Sequence, residues 1–185
     1  MMPKFVRDAL DLLRFRFYPL KHYVYPAWQP LAWLLLVGIV GGLAAQEFQA
    51  DILERILFFA GLNLVETMLM STWLMVWWRW ILKRPISGSL FPLVVLASSA
   101  QLFEPLIQLF PDNLAMVLAL PLAIYGLCVL VAGVAAALAE RRLFVVLAIM
   151  AYLPVALTLL HLATTLALNL GWIVLDVTTL PATTP

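Results

Sequence analysis

Charged side chains are scarce in this chain. Asp, Glu, Lys and Arg make up only 11% of its 185 residues, against about 25% in an ordinary soluble domain. Cysteine is scarcer still. Cys128 stands alone inside an apolar run, which excludes an internal disulfide and a thiolate metal site and leaves it the character of a small apolar residue. Histidine occurs twice, at His22 and His161. No H-E-x-x-H pair exists for zinc, and no G-x-S-x-G elbow for a nucleophilic serine. Ser98 and Ser99 sit in Ala97-Ser98-Ser99-Ala100, without the glycines of an intramembrane protease turn, and His161 lacks a second intramembrane His for haem. These absences argue against an enzyme and against a bound cofactor or metal. A basic face with interleaved aromatics is missing too, so no nucleic-acid partner is expected. The first long apolar stretch starts too late for a cleavable signal peptide.

What is present is apolar surface: 65% of the chain, with a mean hydropathy of +1.03. A chain this short has no soluble core large enough to hide it. About 20 mostly apolar residues cross a hydrocarbon layer of about 30 Å, and five segments fit. They run from about Trp28 to Ala45, Ile56 to Trp78, Leu90 to Phe110, Leu114 to Ala139 and Leu143 to Leu170. The charged or turn-forming gaps between them, at 46–55, 79–89, 110–113 and 140–142, let backbone and charge reach water. Ten of the eleven Lys and Arg residues fall before the first span, in 79–84 or at Arg141–Arg142, and only Arg55 falls on the other side. Positive loops stay cytoplasmic. The expected fold is therefore an all-α bundle of five transmembrane helices, with the N-terminus cytoplasmic and the C-terminus external. Its parts are a cytoplasmic or interfacial segment (1–27), a membrane domain (28–170) and a short external tail (171–185).

Residues Lys4 to Tyr18 predict an amphipathic interfacial helix. Val6, Leu10, Leu13 and Phe17 share a stripe, with Ala9 beside it, and Lys4, Arg7, Asp8, Asp11 and Arg14 lie mostly opposite. Such a helix either lies on anionic lipid or serves only as a positive anchor. Trp73, Trp77, Trp78 and Trp80, with Tyr23, Tyr25, Trp28 and Trp172, are expected at headgroup level.

Ionisable groups inside a membrane need a reason. Glu66, Glu104 and His161 are the three, each with polar company at helical spacing. Asn63 precedes Glu66, Gln101 and Gln108 flank Glu104, and Thr158, Thr165 and Asn169 accompany His161. Stripes of this kind predict faces turned into the bundle. Three uses stay open: a proton or substrate pathway, a structural polar network, or contacts to a partner subunit. Pro105, Pro121 and Pro154 each free a carbonyl four residues earlier, as in the broken helices of transporters. Gly38, Gly42 and Gly133 mark candidate helix-contact faces, with Gly41, Ala45 and Ala137 repeating the spacing.

From about Ile56 to Leu170 the chain resembles the Yip (Ypt/Rab-interacting protein) family in its shorter, bacterial form. The features that carry this are the five-span layout, the short proline-bearing loops, the Ile124-Tyr125 pair, and the run from Phe91-Pro92 to Phe110-Pro111-Asp112. The Tyr-Gly-Pro-type motif of eukaryotic members does not occur. The resemblance implies a non-enzymatic membrane protein acting through lateral partners or membrane shape, and it transfers no functional residue. The expected function is a non-catalytic inner-membrane scaffold or accessory subunit, in contact with the bilayer, other membrane subunits or copies of itself. The alternative is a small proton-coupled transporter or channel using Glu66, Glu104 and His161.

Overall fold

A computed structural model describes residues 3–45, 48–107 and 109–173. Among them every regular element is helical. The chain runs α1 (Lys4–Leu13), a 3-10 turn (Leu20–His22), α2 (Trp28–Ala44), α3 (Ile52–Val76) ending in a π-turn (Trp77–Ile81), α4 (Phe91–Ala97), a 3-10 stretch (Ser98–Phe103), α5 (Glu104–Ile107), α6 (Asp112–Leu138) and α7 (Arg142–Asn169). Two helical stretches, Asn113–Leu138 and Arg142–Asn169, are long and apolar enough to cross a membrane, while Trp28–Ala44 and Phe91–Ile107 are apolar but shorter. Most of the expected tail, and Gln108, lie outside the described residues.

Each boundary has a local cause. Asp51 and Glu54 form a capping box at the start of α3, satisfying two donors that a helix start leaves free. At the far end of α6, Ala139 adopts a left-handed conformation (φ 53°). The Glu140 amide then bonds back to the Ala135 carbonyl at 2.8 Å, which closes the helix in the Schellman manner. The same hairpin is tied to the loop after α3, because Glu140 pairs with Arg84.

The tightest packing is between α2 and α3. A Cβ on Gly38 would lie 2.4 Å from the Ala60 Cα, and one on Gly42 would lie 2.7 Å from the Ile56 Cα. The two backbones therefore touch, which is what a G-x-x-x-G face permits. Gly133 meets a different neighbour, the Leu12 side chain of α1. Elsewhere α3 is tied to α7 by the Trp73 indole, which donates to the Ala148 carbonyl at 2.9 Å.

Two expectations need correction. First, the buried face of α1 is Phe5, Asp8, Ala9 and Leu12, not the Val6–Leu10–Leu13–Phe17 stripe. Leu12 is fully buried, while Leu10 is 37% exposed. The helix is rotated because Asp8 finds partners inside. Its carboxylate accepts from the Tyr25 hydroxyl at 2.6 Å and meets His22 Nε2 at 3.1 Å. Around it, Phe5 packs edge-on against Tyr25 and Trp33, Lys4 donates to the His22 carbonyl, and the Tyr125 hydroxyl donates to the Leu13 carbonyl. Second, the aromatic cluster on α3 is not a free headgroup belt. Trp78 and Trp80 are two positions apart, about 200° round the helix at about 100° per residue, and so fall on different sides. Trp78 is 1% exposed, whereas Trp80 is 79% exposed. Tyr23 is buried as well.

Two outcomes follow. Gly38→Val should force α2 and α3 apart and lower stability by about 1–3 kcal/mol, read as a fall in thermal unfolding temperature of the detergent-solubilised protein. The second concerns alkali. Burial first, and then the hydrogen bond to Asp8, push the Tyr25 phenol above its ordinary value of 10.0. A folded value raised above the unfolded one gives stability that is complete below the unfolded value and lost as pH rises through the folded one. Unfolding temperature should therefore drop above about pH 10, and Tyr25→Phe should shrink that drop while weakening the protein at neutral pH.

Candidate functional site

Glu66 and Glu104 stand on different helices and line one cavity of about 690 Å³. The cavity lies between α3, the α4–α5 segment and α6, with Leu34 of α2 completing the wall. Each helix contributes residues in its own period. From α3 come Asn63, Glu66, Thr67 and Met70, the i, i+3, i+4, i+7 face of an α-helix. From the third segment come Val94, Ala97 and Ala100 and, at every third position, Ser98, Gln101, Glu104 and Ile107.

That spacing of three has a structural cause. Ser98–Phe103 is a 3-10 stretch, and with three residues per turn the side chains at i and i+3 eclipse. Ser98, Gln101 and Glu104 are thereby brought into one row along the cavity. Two features favour the tighter winding. Pro105 has no amide hydrogen for the Gln101 carbonyl, so an ordinary α-helical bond is missing there. The Trp33 indole of α2 also donates to the Ser99 hydroxyl at 2.9 Å, pinning the stretch from the side away from the cavity. Pro121 and Pro154 behave otherwise, each lying within a continuous helix. Of the three prolines, only Pro105 coincides with a break in α-helical winding.

The third wall is apolar. Ala115, Ala119, Leu122, Ala123 and Gly126 of α6 face the two carboxyl groups across the cavity. Their spacing of three, four and seven places them on one side of the helix, and their small size creates the space. Among the described residues lining the cavity there is no Lys, Arg or His. Neither glutamate takes part in an ion pair among the described residues. Asn63 and Gln101 supply the amide groups nearest in sequence to the two acids. Thr67 is 6% exposed and lines the same space.

His161 is elsewhere. It lies on α7 and does not line the cavity. The buried face of α7 is Val145, Ala148, Ile149, Tyr152 and Ala167. His161 is nine residues beyond Tyr152, about half a turn round at about 100° per residue. Its expected companions Thr158, Thr165 and Asn169 are exposed with it. The polar stripe of α7 therefore points out of the bundle, contrary to expectation. Thr158 satisfies itself within the helix, donating to the Pro154 carbonyl at 2.8 Å, so nothing compels that face inward. The separation also leaves Ser98 and Ser99 without a histidine at the cavity.

The sequence reading missed Thr67 and the Ala115–Ala119–Ala123 face, and weighed Ser98 only as a nucleophile. The alanine face carries a readable signal, alanine at every fourth position of an apolar helix. Thr67 carries almost none, since isolated Thr is common in such helices.

Comparison with protein-family models, with curated proteins and with solved structures returned no match.

Two carboxyl groups without a cation should draw positive reagents into the cavity. With Cys128 replaced by Ser, a Gln101→Cys protein should react faster with a cationic methanethiosulfonate than with an anionic one of similar size. The ratio should be about tenfold at low salt and shrink as salt is added. Stopped-time labelling measured by mass spectrometry reads it.

Proposed function

We propose that the chain is a five-span membrane protein of a bacterial inner membrane, with its N-terminus cytoplasmic, and that it works as a small proton-coupled transporter or channel. The reading is carried by one observation: Glu66 and Glu104, far apart in sequence, line a single cavity that offers them no cation. A structural network would pair such groups with donors across the helix contacts, whereas Glu66 is half-buried and Glu104 exposed. Here they are left facing open space beside Asn63, Gln101 and Ser98. Carboxyl groups held this way in an intramembrane cavity suit a proton or ion pathway.

The five-span arrangement is supported by lengths. At 1.5 Å per residue, the 17 residues of α2 extend about 26 Å, and α3 with its 25 residues extends about 38 Å. Both are compatible with crossing a layer of about 30 Å. The orientation is supported by the basic side chains, ten of the eleven falling on one side of that arrangement.

In proteoliposomes an imposed pH gradient should collapse faster with the protein than without it. Glu66→Gln and Glu104→Gln should each slow that flux more than about tenfold, with thermal unfolding little changed. Absence of flux under any gradient would overturn the reading.

A second reading, an accessory or scaffold subunit of Yip-like character, is favoured by the outer face of α6, where Leu114, Val117, Leu120 and Ile124 are exposed. Purification in mild detergent decides it: a partner in stoichiometric amount supports it, and a lone chain speaks against it.

A further inference from the structure

We propose that the cavity between α3, the α4–α5 segment and α6 is a binding site for an amphiphilic monovalent organic cation, an ammonium or phosphonium carried on an apolar body. The inference rests on the pathway reading above and names what occupies the pathway.

Four observations select this class. The walls are of two kinds. One side carries Glu66, Glu104 and Gln101, and the other, on α6, presents alanine, glycine and leucine with no polar side chain. A ligand matching both walls has a charged end and a hydrocarbon body. The sign of its charge is set by the lining, which holds two carboxyl groups and no Lys, Arg or His among the described residues. The size is set by the volume, about 690 Å³, within the roughly 300–1,000 Å³ of pockets that hold drug-sized molecules. A bare metal ion would leave most of that space unfilled. Among the described residues no group of three or more His, Cys, Asp or Glu side chains could hold one, and a hard cation needs about six oxygen ligands. Last, Thr67 is 6% exposed and lines the same space, where its hydroxyl oxygen can accept from an ammonium hydrogen.

Charge balance then links the ligand to protons. Two carboxyl groups in an apolar cavity are compensated either by protons or by a cation. One monovalent cation entering displaces one proton, and the net charge of the occupied cavity is unchanged. Among the described residues, the titratable groups lining the cavity are the two glutamates themselves. From α2 and α6 no ionisable side chain lines the cavity among the described residues.

The test uses the full chain purified in a non-ionic detergent, with tetraphenylphosphonium as probe and tetraphenylborate as its anionic counterpart of similar shape. Equilibrium dialysis should show saturable phosphonium binding, one per chain, that tightens by up to about tenfold per pH unit as protons are withdrawn. Tetraphenylborate should not bind saturably. Glu66→Gln and Glu104→Gln should each weaken phosphonium binding at least tenfold. Ala123→Phe, which fills the apolar side without touching charge, should weaken it too and guards against a misfolded glutamine variant. Equal binding of both ions, binding independent of pH, or complete displacement by sodium at about 0.1 M would overturn the inference. The first would mark a groove for lipid tails, the last a site for inorganic cations. The two readings fail separately. Phosphonium binding without proton flux would remove transport and keep the site, and proton flux without phosphonium binding would do the reverse.

Discussion

The constraint on which the bundle turns is the cost of placing a carboxyl group among hydrocarbon side chains with no cation at hand. Removing an ion from water costs several kcal/mol even after the protein relaxes, so such a group persists only where something compensates it or where it can reach a polar space. Asp8 and Glu66 show the two solutions. Asp8 is 1% exposed but accepts from Tyr25, lies against His22 and has Arg7 within 3.9 Å. Glu66 has no such partners and opens instead onto a cavity shared with Glu104. The first carboxylate holds the N-terminal segment to the bundle. The second stands where an occupant has room to approach it.

These two arrangements depend on each other through α1. Phe5, Ala9 and Leu12 fill the basic end of the bundle, with Leu12 against Gly133 of α6 and Leu93 of α4 close by. Leu130, one turn earlier on α6, already belongs to the cavity wall, as does Val94 next to Leu93. The N-terminal helix thus packs beneath the cavity, against α4 and α6. Its seat is polar as well as apolar, since the Tyr125 hydroxyl of α6 reaches the last carbonyl of α1.

Much of this was legible in the residues, and the parts that were not share a reason. Apolar segments separated by charged gaps located the main helices within a few positions, because that pattern is imposed by solvent. Gly38 and Gly42 announced a close contact, though not that α3 would be the partner. Glu66 and Glu104 declared themselves as costly, with Asn63 and Gln101 at spacings that share a helical face. The errors arose where tertiary partners overrode a one-dimensional pattern. Asp8 looked like part of a solvated face until Tyr25 and His22 folded over it. Trp78 looked like a headgroup anchor but is packed in the core. His161 shared the chemistry of the two glutamates, but the inward face of α7 was set by Ala148 and Tyr152, small and aromatic groups whose claim on the core no polarity argument reveals.

The short 3-10 stretch in the third helical segment has a geometrical corollary. An α-helix turns about 100° and advances about 1.5 Å per residue, while a 3-10 helix turns about 120° and advances about 2.0 Å. Over the six residues Ser98–Phe103 the difference accumulates to about 120° of azimuth and about 3 Å of length. Rewinding this one stretch would swing the Glu104 side chain through a third of a circle relative to α4, off the wall it shares with Gln101. The heading of a carboxylate is thus encoded in the pitch of the backbone that precedes it.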